Sequence, residues 1–166
     1  MRIKEAISRE ASRRRYSKRT IETYQFCVRK FFEYCKKDPK KVSKKDIREF
    51  LEISLKNKSG NTINVYLNSL KFYFEEILGK KMKLNIKYSK VPEKLPEILS
   101  KEEIKKLLSS INNSKHKLMI KLLYSSGLRV SELTNLKIKD LYIEKGYGFV
   151  RSGKGNKDRI FIIAEN

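Results

Sequence analysis

GLRVSELTNLKIKDLYIEKGYGFVRSGKGNKDRIFII, residues 127–163, changes its hydrophobic period partway along, and that change decides the architecture of the second half of the chain. Val130 to Leu136 keeps helical spacing behind Gly127, a residue type that closes a preceding helix. Leu141 to Ile143, Tyr147 to Arg151 and Arg159 to Ile163 then read as three short strands, separated by Lys145-Gly146 and by the turn residues Gly153 to Asp158. A small antiparallel sheet after helices is the expected result. Upstream, Ser100 and Glu103 form a capping box for a helix with Ile104, Leu107, Leu108 and Ile111 inward. Leu118 to Tyr124, apolar on nearly every side, predicts a buried helix ending at Gly127.

The first eighty residues carry helical stripes only. Ile3, Ala6, Ile7 and Ala11 make the first, and Ile21, Tyr24, Val28, Phe31, Phe32 and Cys35 a longer second, ended by Asp38-Pro39. Ser43 and Asp46 resemble a capping box ahead of Ile47, Phe50, Leu51 and Leu55. Asn57 to Gly60 breaks that helix, and from Thr62 a fourth stripe runs through Ile63, Tyr66 or Leu67, Leu70, Phe74, Ile77 and Leu78 to Gly79. Four helices over residues 1–84 are predicted. Residues 85–98, lysine-rich and containing two prolines without sustained period, read as an extended linker with the boundary near Pro92. A second unit follows over 99–166.

With 166 residues, 39% of them apolar, the chain can bury a core. Forty basic against nineteen acidic residues give a net charge of +21, spread over both parts of the chain. Such a field draws polyanions, nucleic acid foremost, although a lysine-rich solvated surface has the same composition. No apolar run reaches the roughly 18–20 residues of a membrane span and no signal peptide opens the chain, so a cytoplasmic protein is expected. Cys27 and Cys35 lie about 12 Å apart along one helix, beyond disulfide reach, and read as buried thiols. His116, the only histidine, has no ligand at metal-binding spacing, so no metal is expected.

Two stretches carry candidate chemistry. Arg129 stands where one helix ends and another begins, a positive end that disfavours a cation unless an anion such as phosphate sits there; a surface arginine covering the helix end is the alternative. Lys154, between two glycines at a hairpin tip, can reach into a groove or simply be solvated. Gly148 to Lys154 matches GxxxxGK, but Gly155 follows instead of Ser or Thr, and a strand instead of a helix, which rejects a nucleotide-binding loop.

The order of features resembles a known family. LLYSSGLRVSEL (122–133), NLKIKDL (135–141) and GKGNKDRI (153–160), behind a basic helical domain and a proline-containing linker, are similar to the tyrosine recombinases, or phage integrases, of the Xer type. YSKRTIETYQFCVRKFFEYC (16–35) and GNTINVYLNSLKFYFEEIL (60–78) resemble that family's helical core-binding domain. The resemblance implies a mainly α fold: an N-terminal four-helix, SAM-like core-binding domain, then the N-terminal part of an α+β catalytic domain with a small antiparallel sheet.

In that family a tyrosine attacks a DNA phosphodiester, two arginines stabilise the transition state, a hairpin lysine protonates the leaving oxygen and histidines assist, without metal or nucleotide cofactor. Carried over by motif, Arg129 corresponds to the first arginine, Glu132 to the acidic residue in the same turn, and Lys154 to the hairpin lysine. The expected DNA contacts are Arg13, Arg14, Arg15, Lys18, Arg19, Lys58, Asn61, Thr62, Asn64, Lys71, Lys157 and Arg159. The family's HxxR motif, its later His or Trp and its nucleophilic tyrosine lie downstream of the hairpin, and the 166 residues contain no counterpart. His116 lies upstream of Arg129 and residue 119 is Met, so it does not substitute; none of the nine tyrosines stands at the nucleophile position. A truncated recombinase that binds double-stranded DNA without autonomous cleavage is therefore expected, with uncovered apolar faces in its second unit. Two alternatives stay open: one half of a split recombinase completed in trans, and a non-catalytic regulator or architectural protein that coats DNA. Another copy of the chain, or a full-length recombinase, is a further expected partner. RNA is disfavoured by the lack of an aromatic strand pair of the RNP type.

Overall fold

A computed structural model describes residues 3–80, 85–92, 95–151 and 157–163. The chain divides into two compact units, Met1–Lys94 and Leu95–Asn166. In the first, α1 (Ile3–Arg13), α2 (Lys18–Cys35), α3 (Lys44–Glu49) and α4 (Gly60–Lys71) bear out the four stripes. Local chemistry sets their ends. Ser17 caps α2 by accepting the Thr20 N–H, Ser43 and Asp46 complete the expected capping box, and Ser59 caps α4. The fourth helix thus begins at Gly60 rather than Thr62. Lys36, in the left-handed conformation, ends α2 before Asp38-Pro39 is reached, and Pro39 instead opens a 3₁₀ turn, Pro39–Lys41.

α3 and α4 each widen into a π-helical turn, Phe50–Ser54 and Phe72–Ile77, which helical periodicity does not predict. The Leu78 N–H donates to the Tyr73 carbonyl at 3.1 Å, a five-residue step. The extra residue per turn narrows the angle between successive side chains, so the consecutive Phe72, Tyr73 and Phe74 are all buried. Phe31 sits at the centre of this core. Its ring meets those of Phe32, Phe50 and Phe74 at centroid distances of 5.2, 5.3 and 5.8 Å, each edge to face. Cys27 is buried, whereas Cys35, expected to be buried too, is half-buried at the helix end.

Residues 86–91 have no regular structure yet lie along α4. The Asn64 carboxamide bonds both ways with Ser89, accepting its N–H at 2.8 Å and donating to its carbonyl at 3.0 Å. The Tyr88 hydroxyl meets Asn68 Oδ1 at 2.6 Å, and Ile86 packs on the core. Gly60 allows this approach, since a Cβ there would stand 2.8 Å from the Lys90 carbonyl oxygen.

The second unit holds α5 (Lys101–Ser110), capped by Ser100 and Glu103 as expected, α6 (Ser114–Ser126) and α7 (Val130–Thr134). The sheet has β1 (Leu141–Tyr142), β2 (Tyr147–Val150) and β3 (Arg159–Ile162) in that order, antiparallel, with Leu141 opposite Gly148 and Val150 opposite Arg159. Gly148 is required because a Cβ would fall 2.5 Å from the Phe161 ring. Leu128, Leu133, Val150 and Phe161 form the buried cluster, with Met119, Leu122 and Leu123 of α6 packed on it. Two expectations fail here. α6 is not buried as its composition predicts, and agrees instead with the uncovered apolar faces expected of this unit: Leu118 is 58% and Tyr124 54% exposed, because only one of its faces meets the cluster and no described residue covers the other. On α5 only Ile104 is buried, and Leu107 is exposed.

Phe31→Ala removes the central ring and is expected to destabilise the first unit by about 3–5 kcal/mol, while Phe26→Ala on the exposed side of α2 changes stability by less than about 0.5 kcal/mol. Urea unfolding followed by helical circular dichroism checks the pair; equal midpoints would contradict the packing described.

Candidate functional site

The turn between α6 and α7 is built by glycine and a carboxylate. Gly127, with φ of 58°, ends α6 without strain, and Leu128 is buried beneath the turn. Arg129 then takes the N-cap position of α7 in an extended conformation, with Glu132 three residues on. The Arg129 N–H donates to Glu132 Oε2 at 2.9 Å, and Arg129 Nη1 to Oε1 at 2.7 Å. From β3, Arg159 Nη2 donates to the same Oε2 at 2.8 Å and to the Gly127 carbonyl oxygen at 3.3 Å.

The Glu132 side chain is only 4% exposed, while those of Arg129 and Arg159 are 57% and 37% exposed. The Arg129 N–H and the two guanidinium groups lower the Glu132 carboxyl from its ordinary 4.5 to about 2, so it is ionised at neutral pH. Two cations around one anion leave a positive centre, with much of the Arg129 fork facing solvent. That arrangement suits a phosphate oxygen.

The hairpin is anchored beside this turn. Arg151, at the end of β2, donates to the buried Asp140 at 3.4 Å and to Asp158 at 3.2 Å, with its guanidinium over the Phe149 ring at 4.8 Å. Lys154 lies outside the described residues, whereas Lys157 is exposed.

In the first unit the predicted contact residues fall into two groups. Arg15, Lys18, Arg19, Lys58 and Asn61 are exposed, and Lys18 and Arg19 occupy the first turn of α2, where cations oppose the helix dipole unless an anion is near. The other group has internal partners. Arg13 and Arg14 hold Glu10, lowering its carboxyl to about 2, and Arg14 also reaches Glu76. The Thr62 hydroxyl meets Ser59 at 2.9 Å, Asn64 holds Ser89, and Lys71 lies over the Tyr88 ring at 4.8 Å.

Sequence reasoning missed the inward direction of Arg159 and the clamp of Arg151 on Asp140. Strand alternation could have found the first, because Arg159 shares the face of buried Phe161 while Ile160 and Ile162 point outward. Among the described residues no cluster of three metal-ligating side chains occurs, and no helix is long and apolar enough to cross a membrane.

Comparison with known proteins gives a consistent result. A family model described as "Phage integrase, N-terminal SAM-like domain" matches residues 3–84, and one described as "Phage integrase family" matches residues 97–166. The chain is 39% identical over 151 residues to the tyrosine recombinase XerA of Pyrococcus horikoshii, and 40% identical over 153 residues to that of Pyrococcus furiosus. Each alignment covers 90% of this chain and 51% and 52% of those proteins, respectively. The chain therefore spans about half the length of the curated relatives it matches. A crystal structure of the XerH site-specific recombinase bound to difH substrate in a pre-cleavage complex matches with a TM-score of 0.68 at 27% identity, covering 96% of this chain and 54% of that one. A post-cleavage complex of XerH matches with a TM-score of 0.62 at 29% identity, covering 86% and 48%.

A carboxylate whose folded pKa is depressed stabilises the fold fully above its unfolded pKa and loses that contribution as pH falls through the folded value. Glu132 is thus expected to withdraw its share between about pH 4.5 and about pH 2. Glu132→Gln should be less stable at neutral pH and show a flatter pH dependence in that window, read from NMR signals of Tyr147 and Phe161 during unfolding. An unchanged slope would contradict the ionised, doubly paired carboxylate.

Proposed function

The chain belongs to the tyrosine recombinase (phage integrase) family, and from that premise we propose that it is a cytoplasmic double-stranded-DNA-binding protein of site-specific recombination. The first unit is the core-binding domain, and the second supplies the phosphate-holding part of a strand-exchange site. Arg129 binds a phosphate oxygen of the scissile linkage, Glu132 orients the Arg129 guanidinium, and Lys154, at the sequence position of the family's lysine, serves as the acid toward the leaving 5′ oxygen. The observation that carries this reading is the half-exposed Arg129 guanidinium held from behind by a buried carboxylate, in the same motif where the family places its first catalytic arginine.

The chemistry is electrostatic. A phosphodiester under attack gathers negative charge on its non-bridging oxygens, and a fork already oriented by Glu132 meets that charge without reorganising. Cleavage also needs a hydroxyl to form the covalent link and a second arginine, which the family carries downstream of the hairpin. The residues named here hold the phosphate, and the covalent step belongs to that hydroxyl. Exposed Lys18, Arg19, Lys58 and Lys157 contribute phosphate contacts that position the duplex without reading its sequence.

Affinity for a duplex carrying a recombination site should fall linearly on a plot of log K against log salt, with a slope of about −0.9 per phosphate neutralised. The double variant Lys18→Ala/Arg19→Ala should make that slope shallower by about two. Binding that ignores salt would contradict the proposal. Equal affinity for random duplex would shift the reading to a non-specific architectural protein.

A further inference from the structure

Arg159 was expected among the DNA contacts, and its geometry is of another kind. Alternation along β3 turns it to the same side as buried Phe161. Its Nη2 bridges the two ends of the turn that presents Arg129: the Gly127 carbonyl, left without a helical partner where α6 stops, and Glu132 Oε2 at the start of α7. The same oxygen accepts the Arg129 N–H, so Oε2 is occupied on two sides and only Oε1 faces the Arg129 side chain.

That division matters to a ligand. A carboxylate with both oxygens free takes an arginine as a two-pronged fork, which would turn two of the Arg129 donors away from solvent. With Oε2 held by Arg159, Glu132 restrains Arg129 through a single Nη1 contact and leaves the remaining donors of the fork outward. Arg159 also offsets the charge of Glu132, so the field at the open side of Arg129 stays positive. Arg159 stands opposite Val150 in the hairpin ladder, so its side chain adds a polar tie between the strand pair and the arginine turn to the apolar packing of Val150 and Phe161 on Leu128 and Leu133.

We propose that Arg159 is a positioning residue, which meets no DNA phosphate and instead holds Glu132 so that the Arg129 guanidinium remains directed at the phosphate. This rests on the DNA-binding reading above for its purpose, though not for its geometry.

The test uses the full chain with Arg159→Gln, Arg159→Lys, Lys157→Gln and Arg129→Ala. Without DNA, the carbon-13 titration of the Glu132 carboxyl should shift upward in Arg159→Gln, and the Nε–Hε NMR resonance of Arg129 should move with it. Unmoved signals would overturn the proposal. With duplex DNA, Lys157→Gln should make the salt slope shallower by about one in either background, whereas Arg159→Gln does so at most in the otherwise unchanged chain, through Arg129, and leaves the slope of the Arg129→Ala chain as it is. Arg159→Gln should lower affinity about tenfold in the otherwise unchanged chain and less than about twofold when Arg129 is already alanine, the coupling expected of residues acting as a unit. A slope shallower by about one in both backgrounds, with the same loss of affinity in each, would make Arg159 a phosphate contact and overturn the proposal. If Arg159→Gln does not fold, Arg159→Lys, which keeps the charge but not the planar fork, carries the same comparison. Should the unchanged chain bind no duplex, the DNA-binding function fails, while the titration and the Arg129 resonance still decide the positioning role.

Discussion

A carboxylate removed from water must be paired, and Glu132 is paired on every side the second unit offers. Its oxygens meet the Arg129 N–H, the Arg129 guanidinium and the Arg159 guanidinium. These contacts begin α7, orient the half-exposed arginine and bind the last strand to the helical turn. Replacing one partner leaves a buried charge short of hydrogen bonds, which is why the local fold and the direction of the Arg129 fork are inseparable here.

The first unit separates stability from charge. Its core is aromatic and aliphatic, centred on Phe31, and its cations lie on the outside. Some of those cations are held by carboxylates: Glu10 holds Arg13 and Arg14, and Asp46, lowered to about 2 chiefly by Lys37 and the Ser43 N–H, holds Lys37. Exposed pairs of this sort add little to stability but fix where positive charge is presented. Arg15, Lys18 and Arg19 have a different relation to the fold, since they crowd the start of α2 against its dipole. A polyanion relieves that crowding.

Much of this architecture is written locally in the chain. The stripes of α1 to α4, the capping boxes at Ser43 and Ser100, and the change to strand period after Leu136 all reappear, because each depends on residues within a few positions of one another. The π-helical turns do not follow from spacing, since Phe72, Tyr73 and Phe74 in succession fit no helical face until the turn widens. Nor does periodicity say what covers a face, and so α6 reads as buried when only one side of it is packed. For the site, the motifs pointed to Arg129 and Glu132, while the occupation of Asn64 by Ser89, twenty-five residues away, and the inward turn of Arg159 depend on pairings across the fold.

The most direct measurement is a crystal structure of this chain with a duplex bound, at a resolution that places individual phosphate oxygens. An Arg129 guanidinium nitrogen is expected about 2.7–2.9 Å from a phosphate oxygen, with Glu132 still between Arg129 and Arg159. A duplex seated elsewhere, or an Arg129 folded onto Glu132 through both nitrogens with no phosphate near it, would contradict that arrangement.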